Sequence, residues 1–267
     1  MAALPQAKIP DYVVEARPKF PHAVLELEKL EAKGWGFLKK SSNVKVGSTI
    51  TKGRYKGRRI YTATMPERST CPAPINGRGG CHMWESCYGS NMPFASRISG
   101  RGADLIAHLE RQIPKLLAER RNIGADGVGR LAVRLHILGD VMPDGPDDDA
   151  TYIRGWLELA KRHPGQLMIF GFTAVAPSSR HGRVVQRLNA LPDCWIRFSS
   201  NRAYGGDPNV TYAAREDFTG EAFDCPEQNG ALAADGSKLE CGSCTACFAT
   251  TTAGKRVGTR TVRFRTH

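Results

Sequence analysis

Long apolar runs are missing from this chain. Nothing approaches the roughly twenty consecutive apolar residues of a membrane span, and mean hydropathy is −0.36. The first twenty residues, MAALPQAKIPDYVVEARPKF, mix acids, bases and three prolines where a secretory signal needs an apolar stretch. The expectation is a cytoplasmic protein with no membrane partner. Internal repeats, low-complexity tracts and long Gly/Ser linkers are also missing, which excludes repeat architectures and flexible tethers. No GxxxxGK[ST] phosphate loop occurs, and no Ser/His/Asp or Cys/His nucleophile arrangement can be singled out.

What is present is a globular composition with an excess of base. The 267 residues are 41% hydrophobic, enough for one large core or a main domain with a small appendage. Lys and Arg number 38 against 26 Asp and Glu, a formal net charge of +12. That excess favours phosphate-rich partners through counterion release. The basic stretches KGRYKGRR (52–59), ERRN (119–122) and GKRVGTRTVRFRTH (254–267) have few aromatics among them. They fit a nucleotide or nucleic-acid partner, and equally a solvated basic surface.

Strand-like and helix-like patterns alternate along the middle of the chain. GRRIYTATM (57–65) reads as a strand and gives way to a Gly- and Pro-rich loop, PERSTCPAPINGRGGCHMWESCYGSNMPF. ADLIAHLERQIPKLLAERRN then spaces Leu105, Ile106, Leu109, Ile113, Leu116 and Leu117 as a helix does, with a kink expected at Pro114. RLAVRLHIL (130–138) is a strand ended by Gly139-Asp140, and DDDATYIRGWLELAKRHPG a helix capped by its acids. QLMIFGFTAV reads as a buried strand, RHGRVVQRLNAL as a helix and CWIRFSS as another strand. Strands interleaved with helices predict parallel pairing through right-handed crossovers. The fold class is therefore α/β: a partial or full (βα) barrel of parallel strands, or an open sheet, over residues 57–202. Residues 1–56 form an N-terminal segment whose helix, HAVLELEKLEAKG (22–34), packs outside the sheet. Residues 203–267 read as an irregular, cysteine-rich extension finished by a strand at TRTVRFRT.

Eight cysteines in a cytosolic chain point to metals or catalysis rather than disulfides. Seven are clustered, and Cys194 stands alone as a buried apolar residue. In the tail, CGSCTACF sets Cys241, Cys244 and Cys247 as CxxCxxC, the bacterial ferredoxin spacing, and Cys225-Pro226 supplies a remote Cys-Pro. Cys225 is then the fourth sulfur of a four-iron cluster. The alternatives are a zinc knuckle on the same four cysteines and a thiol redox role.

Cys71, Cys81 and Cys87 lie in the first loop, between the first core strand and the first core helix. A cubane cluster held by three thiolates leaves one iron open to a substrate or cofactor. His82, if it were a fourth ligand, would close the site and make it structural. A three-cysteine loop after strand one of a βα repeat, its last cysteine adjoining an aromatic (Cys87-Tyr88), followed by a strand ending in Gly-Asp, resembles the radical S-adenosylmethionine (SAM) superfamily. It is closest to divergent phage-borne members, and VRLHILGD, GFTA and the cysteine-rich tail with its Cys-Pro share in the likeness, which covers roughly residues 57–248. One departure is plain: the usual CxxxCxxC spacing does not occur, as if APINGRGG enlarged the loop.

The resemblance implies that Cys71, Cys81 and Cys87 bind three irons of a [4Fe-4S] cluster. The open iron would chelate SAM, and reductive cleavage would give a 5′-deoxyadenosyl radical. It implies further that Gly139 and Asp140, at the C-terminal end of a strand, contact the cofactor. A simple turn is the other reading of that pair. In such a barrel His136 faces the lumen with Arg134 and touches substrate, or is a hydrogen-bonded structural histidine. Asp140 and His136 are the catalytic candidates. Thr173, Ser199, Ser200 and Asn201 end later strands at the same mouth, and Arg197 meets a phosphate there or sits in a salt bridge. Asp147, Asp148 and Asp149 cap a helix rather than hold magnesium. The leading expectation is a radical SAM-like enzyme with an accessory cluster, modifying a nucleotide or nucleic acid and served by a reductant protein. A non-catalytic zinc or iron–sulfur nucleic-acid-binding protein and an electron-transfer protein are the alternatives.

Overall fold

The computed structural model describes residues 21–73, 80–81, 84, 87–200, 212–215, 222–233, 235–248 and 261–264. In chain order the elements are β1 (Val24–Glu26), α1 (Leu27–Ala32), β2 (Lys39–Lys40), β3 (Arg59–Thr62), β4 (Arg97–Ser99), α2 (Gly102–Ala118), β5 (Leu131–Leu135) and α3 (Thr151–Arg162). They continue with β6 (Leu167–Thr173), α4 (Arg180–Asn189), β7 (Cys194–Ser200), β8 (Tyr212–Arg215), β9 (Ala222–Asp224), α5 (Cys241–Cys244) and β10 (Thr261–Phe264).

The main sheet has the order β2-β3-β5-β6-β7-β8-β10-β9. Only β2 runs antiparallel to its neighbour; every other pairing is parallel. From β3 to β7 each strand joins on the same side of the previous one, so right-handed crossovers set α2, α3 and α4 on a single face. Alternation along the strands then fills two cores. Leu131, Val133 and Leu135 of β5 meet Leu105, Leu109, Tyr152, Trp156, Val184 and Leu188 of the helices. Ile60, Ala132, Met168, Phe170 and Trp195 point the other way, onto Val46, Ile50, Tyr55 and Phe248. A sheet buried on both faces explains why its strands read as nearly continuous apolar runs. At one edge, the exposed Lys39 and Lys40 of β2 guard open backbone groups against further pairing.

Several expectations meet a different outcome. The mixed α/β sheet with helices between parallel strands is present, but among the described residues it is open, with β2 and β9 at its edges rather than closed into a full barrel. The tail is not wholly irregular: β8, β10 and β9 extend the same sheet beyond β7. These strands are three or four residues long; β10 falls within the expected TRTVRFRT, while no local pattern announced β8 or β9. Within HAVLELEKLEAKG, expected as one helix, residues 24–26 instead form β1, paired with β4 in a separate two-stranded sheet, and only Leu27–Ala32 is helical. α2 runs on through Pro114 to Ala118, the lost hydrogen bond falling near its end.

The acids before α3 do not cap it. Its N-cap is Ala150 in a left-handed conformation with no side-chain cap. Asp148 instead accepts from the Ala150 N–H (2.5 Å) and lies 2.8 Å from His181 Nε2, while Asp149 pairs with Arg180. The acidic run therefore ties the start of α3 to the start of α4. No helix among the described residues is long and apolar enough to cross a membrane.

Candidate functional site

The first cysteine loop leaves the C-terminal end of β3. Its backbone follows β5 a little further, Ala63 N–H donating to the Arg134 carbonyl (3.3 Å) and Met65 N–H to that of Leu138 (3.1 Å). Within the loop, Cys71 N–H donates to the Arg68 carbonyl (3.1 Å) and Cys81 N–H to that of Pro72 (2.8 Å). Cys87 immediately precedes a short turn of 3-10 helix, Tyr88–Asn91. Burial pushes the Cys71 thiol well above its usual range, with Asp140, Cys81 and Cys87 adding to the effect through their negative charge. Cysteines up to sixteen positions apart in sequence are thus within electrostatic reach of one another.

Two devices hold this loop. The first is an ion pair that the sequence reading missed. Arg97 Nε lies 2.5 Å and Nη2 3.0 Å from the Glu67 carboxylate. The remaining donors reach the carbonyls of Gly89 (2.9 Å), Met92 (3.1 Å) and Ala95 (2.6 Å). Both side chains are fully buried, at 0% and 1% exposure. Glu67 precedes Cys71 and Gly89 follows Cys87, so one guanidinium closes the loop at both ends, with every donor of its planar fork used. The only signal in sequence was an unexplained Glu in the loop and an Arg on a short strand.

The second device is the Gly139-Asp140 turn. Thr70 Oγ1 donates to the Pro66 carbonyl (2.8 Å) and accepts from Asp140 N–H (2.9 Å). Gly139 has φ +76°, and a Cβ there would fall 2.6 Å from Thr70 Oγ1 and 2.9 Å from the Met65 carbonyl oxygen. Glycine is required on both counts, conformation and close approach. The buried Asp140 carboxylate accepts from Thr173 Oγ1 (2.6 Å), Ala174 N–H (2.7 Å) and Val141 N–H (2.7 Å). Burial raises this carboxyl to about 6 in spite of those hydrogen bonds, which pull the other way. Gly139, Asp140 and Thr173 therefore lie with Cys71 at the C-terminal edge of the parallel strands, the edge where α/β folds keep ligands. Asp140 uses both carboxylate oxygens to join the ends of β5 and β6.

The tail cysteines gather on the sheet face opposite the helices. Cys225 N–H donates to the Arg263 carbonyl of β10 (2.9 Å). α5 docks on the segment before β3: Cys241 N–H donates to the Lys45 carbonyl (2.8 Å), Gly242 N–H to that of Val46 (3.0 Å), and Thr51 N–H to that of Gly242 (3.0 Å). A capping box between Glu240 and Ser243 starts this single turn. Phe248 stacks on Phe170 with ring centres 4.4 Å apart. Burial raises the Cys241 thiol to about 12 and that of Cys247 to about 11; neighbouring tail thiolates add to this, and Arg134 and Arg197 oppose it. Cys225 is likewise raised by burial, with Cys244 contributing.

A Cβ on Gly242 would strike the Thr49 carbonyl oxygen, a backbone atom that cannot swing away. Gly242→Ala is therefore expected to lift α5 off its seat and cost about 1–3 kcal/mol, the usual range for overpacking a tight contact. Thermal unfolding of the variant beside the parent checks this: the midpoint should fall.

The other expected site residues are placed as follows. His136 is buried against the helix layer, its Nε2 3.0 Å from Tyr152 Oη, and not on the opposite face with Arg134. Thr173 is buried and bonded to Asp140. Ser199 lies on β7, paired in register with Ala213 of β8. Arg197 is buried, and its Nε donates to the Cys247 carbonyl (3.2 Å). Cys194 is buried in the helix-side core, as expected. Asn201 and His82 fall outside the described residues.

Burial, and then the nearby Arg134, lowers the His136 pKa to about 3. A histidine neutral when folded but free to protonate near its ordinary value when unfolded takes up a proton on unfolding, so stability is full above about pH 6.5 and falls as pH drops toward 3, by at most about 1.4 kcal/mol per pH unit. In His136→Gln this contribution disappears. Urea midpoints taken from pH 4 to 7 should fall less steeply toward acid in the variant than in the parent.

No disulfide joins any of the eight cysteines. Among the described residues no three His, Cys, Asp or Glu side chains are arranged to hold a single metal ion. The donor chemistry nonetheless suits a soft metal. Buried thiols beside other thiols resist ionisation, and a bound cation offsets that cost while thiolate softness selects iron–sulfur clusters, zinc or copper(I). No protein-family model, curated protein or solved structure matches the chain.

Proposed function

We propose that this chain is an iron–sulfur enzyme of radical SAM type built on a partial (βα) barrel, acting on a nucleotide or nucleic acid. One observation supports the reading: Cys81 and Cys87 lie within electrostatic reach of the buried Cys71, in a loop at the C-terminal edge of a parallel sheet that a buried ion pair closes and a required glycine seats. Three thiolates would hold a cubane with one iron left open, and a cluster there would deliver one electron to a bound sulfonium such as SAM. The chain's own residues do the positioning. Glu67 and Arg97 fix the loop, Gly139 lets the β5 turn approach it, and Asp140 joins β5 to β6 beneath it. Cys225, Cys241, Cys244 and Cys247 would hold an accessory centre on the opposite sheet face. The net charge of +12 supports a phosphate-bearing substrate.

The test is anaerobic purification with iron and sulfide analysis, then incubation with SAM and a reductant. Brown protein with about seven to eight irons that releases 5′-deoxyadenosine supports the reading. Colourless protein with stoichiometric zinc overturns it in favour of a structural nucleic-acid-binding protein. Brown protein that leaves SAM intact points to electron transfer.

A further inference from the structure

Three neighbouring strands bring an unusual set of side chains to the face where the tail docks. Arg134 of β5 places its Cζ 4.7 Å from the centre of the Phe172 ring on β6. Phe172 is in turn the register partner of Arg197 on β7. Arg134 itself pairs in register with Phe170, so the three side chains run Arg, Phe, Arg on a diagonal across the sheet. Phe172 meets the Phe264 ring and packs against the small core of Cys225 and Val262, which Cys247 also joins, so the aromatic between the arginines lies beside two of the tail cysteines. Arg197 is 1% exposed and donates from Nε to the Cys247 carbonyl. Arg197 and Arg134 both favour the thiolate of Cys247, and Arg134 that of Cys241, so the two cations lie within electrostatic reach of the tail sulfurs.

We infer that Arg134 and Arg197 are the counter-charges of an anionic metal–thiolate centre on Cys225, Cys241, Cys244 and Cys247, positioning the tail and setting the charge at which the centre is stable. The inference rests on the proposed tail site and adds to it two residues that bind no metal. Four thiolates carry four negative charges, which neither one zinc ion nor an oxidised four-iron cubane fully neutralises. Both metals leave a net negative centre, and guanidinium groups that never lose their proton answer it at any working pH. Phe172 keeps the two cations apart and, through its ring face, holds Arg134 beside the tail cysteines.

The experiment uses the full chain with Cys71, Cys81 and Cys87 replaced by serine, so that any bound metal belongs to the tail. In this background Arg134→Gln, Arg197→Gln, Arg197→Lys and Cys244→Ser are compared for metal content, release to a chelator and, with iron bound, midpoint potential. The glutamine variants are expected to release metal roughly 10–100-fold faster, the range for residues that support metal ligands. With iron their potentials should move negative, because a lost cation disfavours the more negative reduced centre, and Arg197→Lys should restore the potential. If Arg197→Gln does not fold, the half-buried Arg134→Gln decides by the same criteria. Folded glutamine variants with parental release rates and potentials overturn the inference while leaving the tail site standing. A background chain that holds no more metal than Cys244→Ser overturns the tail site and the inference with it.

Discussion

Glu67→Gln is expected to destabilise the fold by about 3–5 kcal/mol, the cost of leaving one member of a buried ion pair without its partner. The carboxylate it removes is 1% exposed and contacts two nitrogens of an arginine that is 0% exposed. A glutamine oxygen can accept from one of those nitrogens, but its amide then presents N–H groups to a cation. The guanidinium would not simply swing out to water, because three carbonyls, of Gly89, Met92 and Ala95, hold its other donors. Arg97→Met should cost a similar amount for the complementary reason, stranding the Glu67 carboxylate and those three carbonyls together. The paired change Glu67→Met with Arg97→Met should be milder than the sum of the two, since no charge is then left uncompensated. Urea unfolding of the four proteins closes that cycle. On the proposed reading, iron counted in the same samples should also fall with the single variants, because the pair is what brings the chain before Cys71 back to the chain after Cys87.

What the sequence disclosed and what it hid follow one physical division. Elements made by local pattern were legible: β7 runs over Cys194–Ser200, as CWIRFSS suggested, and β6 and α4 fall where a buried apolar run and helical spacing put them. Continuous apolar runs and helical spacing are both readable from chain neighbours alone. β8 and β9 are too short for a period and were not legible, whereas β10 lies in the strand-like TRTVRFRT; all three are held by pairing with other strands. The same holds at the site. Cysteine spacing drew attention to both groups because few residue types recur at such intervals, whereas Glu67 and Arg97 are ordinary residues made special only by meeting thirty positions apart. His136 shows the converse failure. Extending strict alternation past Leu135, where β5 ends, put the imidazole on the same face as Arg134, while the turn sends it to Tyr152. A period holds only as far as the strand that generates it.

Cys71→Ser should reduce 5′-deoxyadenosine to the level of a no-enzyme control while leaving the fold within about 1 kcal/mol of the parent when neither chain carries metal. The asymmetry with the tail makes this result informative. Around Cys71 the chain is fixed by groups other than sulfur: Thr70 to Asp140, Glu67 to Arg97, and Cys81 N–H to Pro72. Losing one thiol there removes a ligand from a loop that remains shaped to receive it. The tail is held differently. Cys225 begins the segment that follows β9, Cys241 begins α5 and Cys247 lies under Arg197, so the sulfurs belong to separate pieces that dock on the sheet through backbone hydrogen bonds and the Phe248–Phe170 contact. A metal bound there contributes to folding itself, as structural zinc does in small domains that cannot build a core. Cys244→Ser should therefore lower stability of the metal-loaded protein and shed the tail's iron or zinc, and any loss of SAM cleavage should follow that loss of structure. If Cys71→Ser and Cys244→Ser both kept full cleavage, neither group of thiols would be holding a working centre. Loss confined to Cys71→Ser and its loop neighbours Cys81→Ser and Cys87→Ser would place the chemistry at the edge of β3 and β5, with the second group serving the fold that positions it.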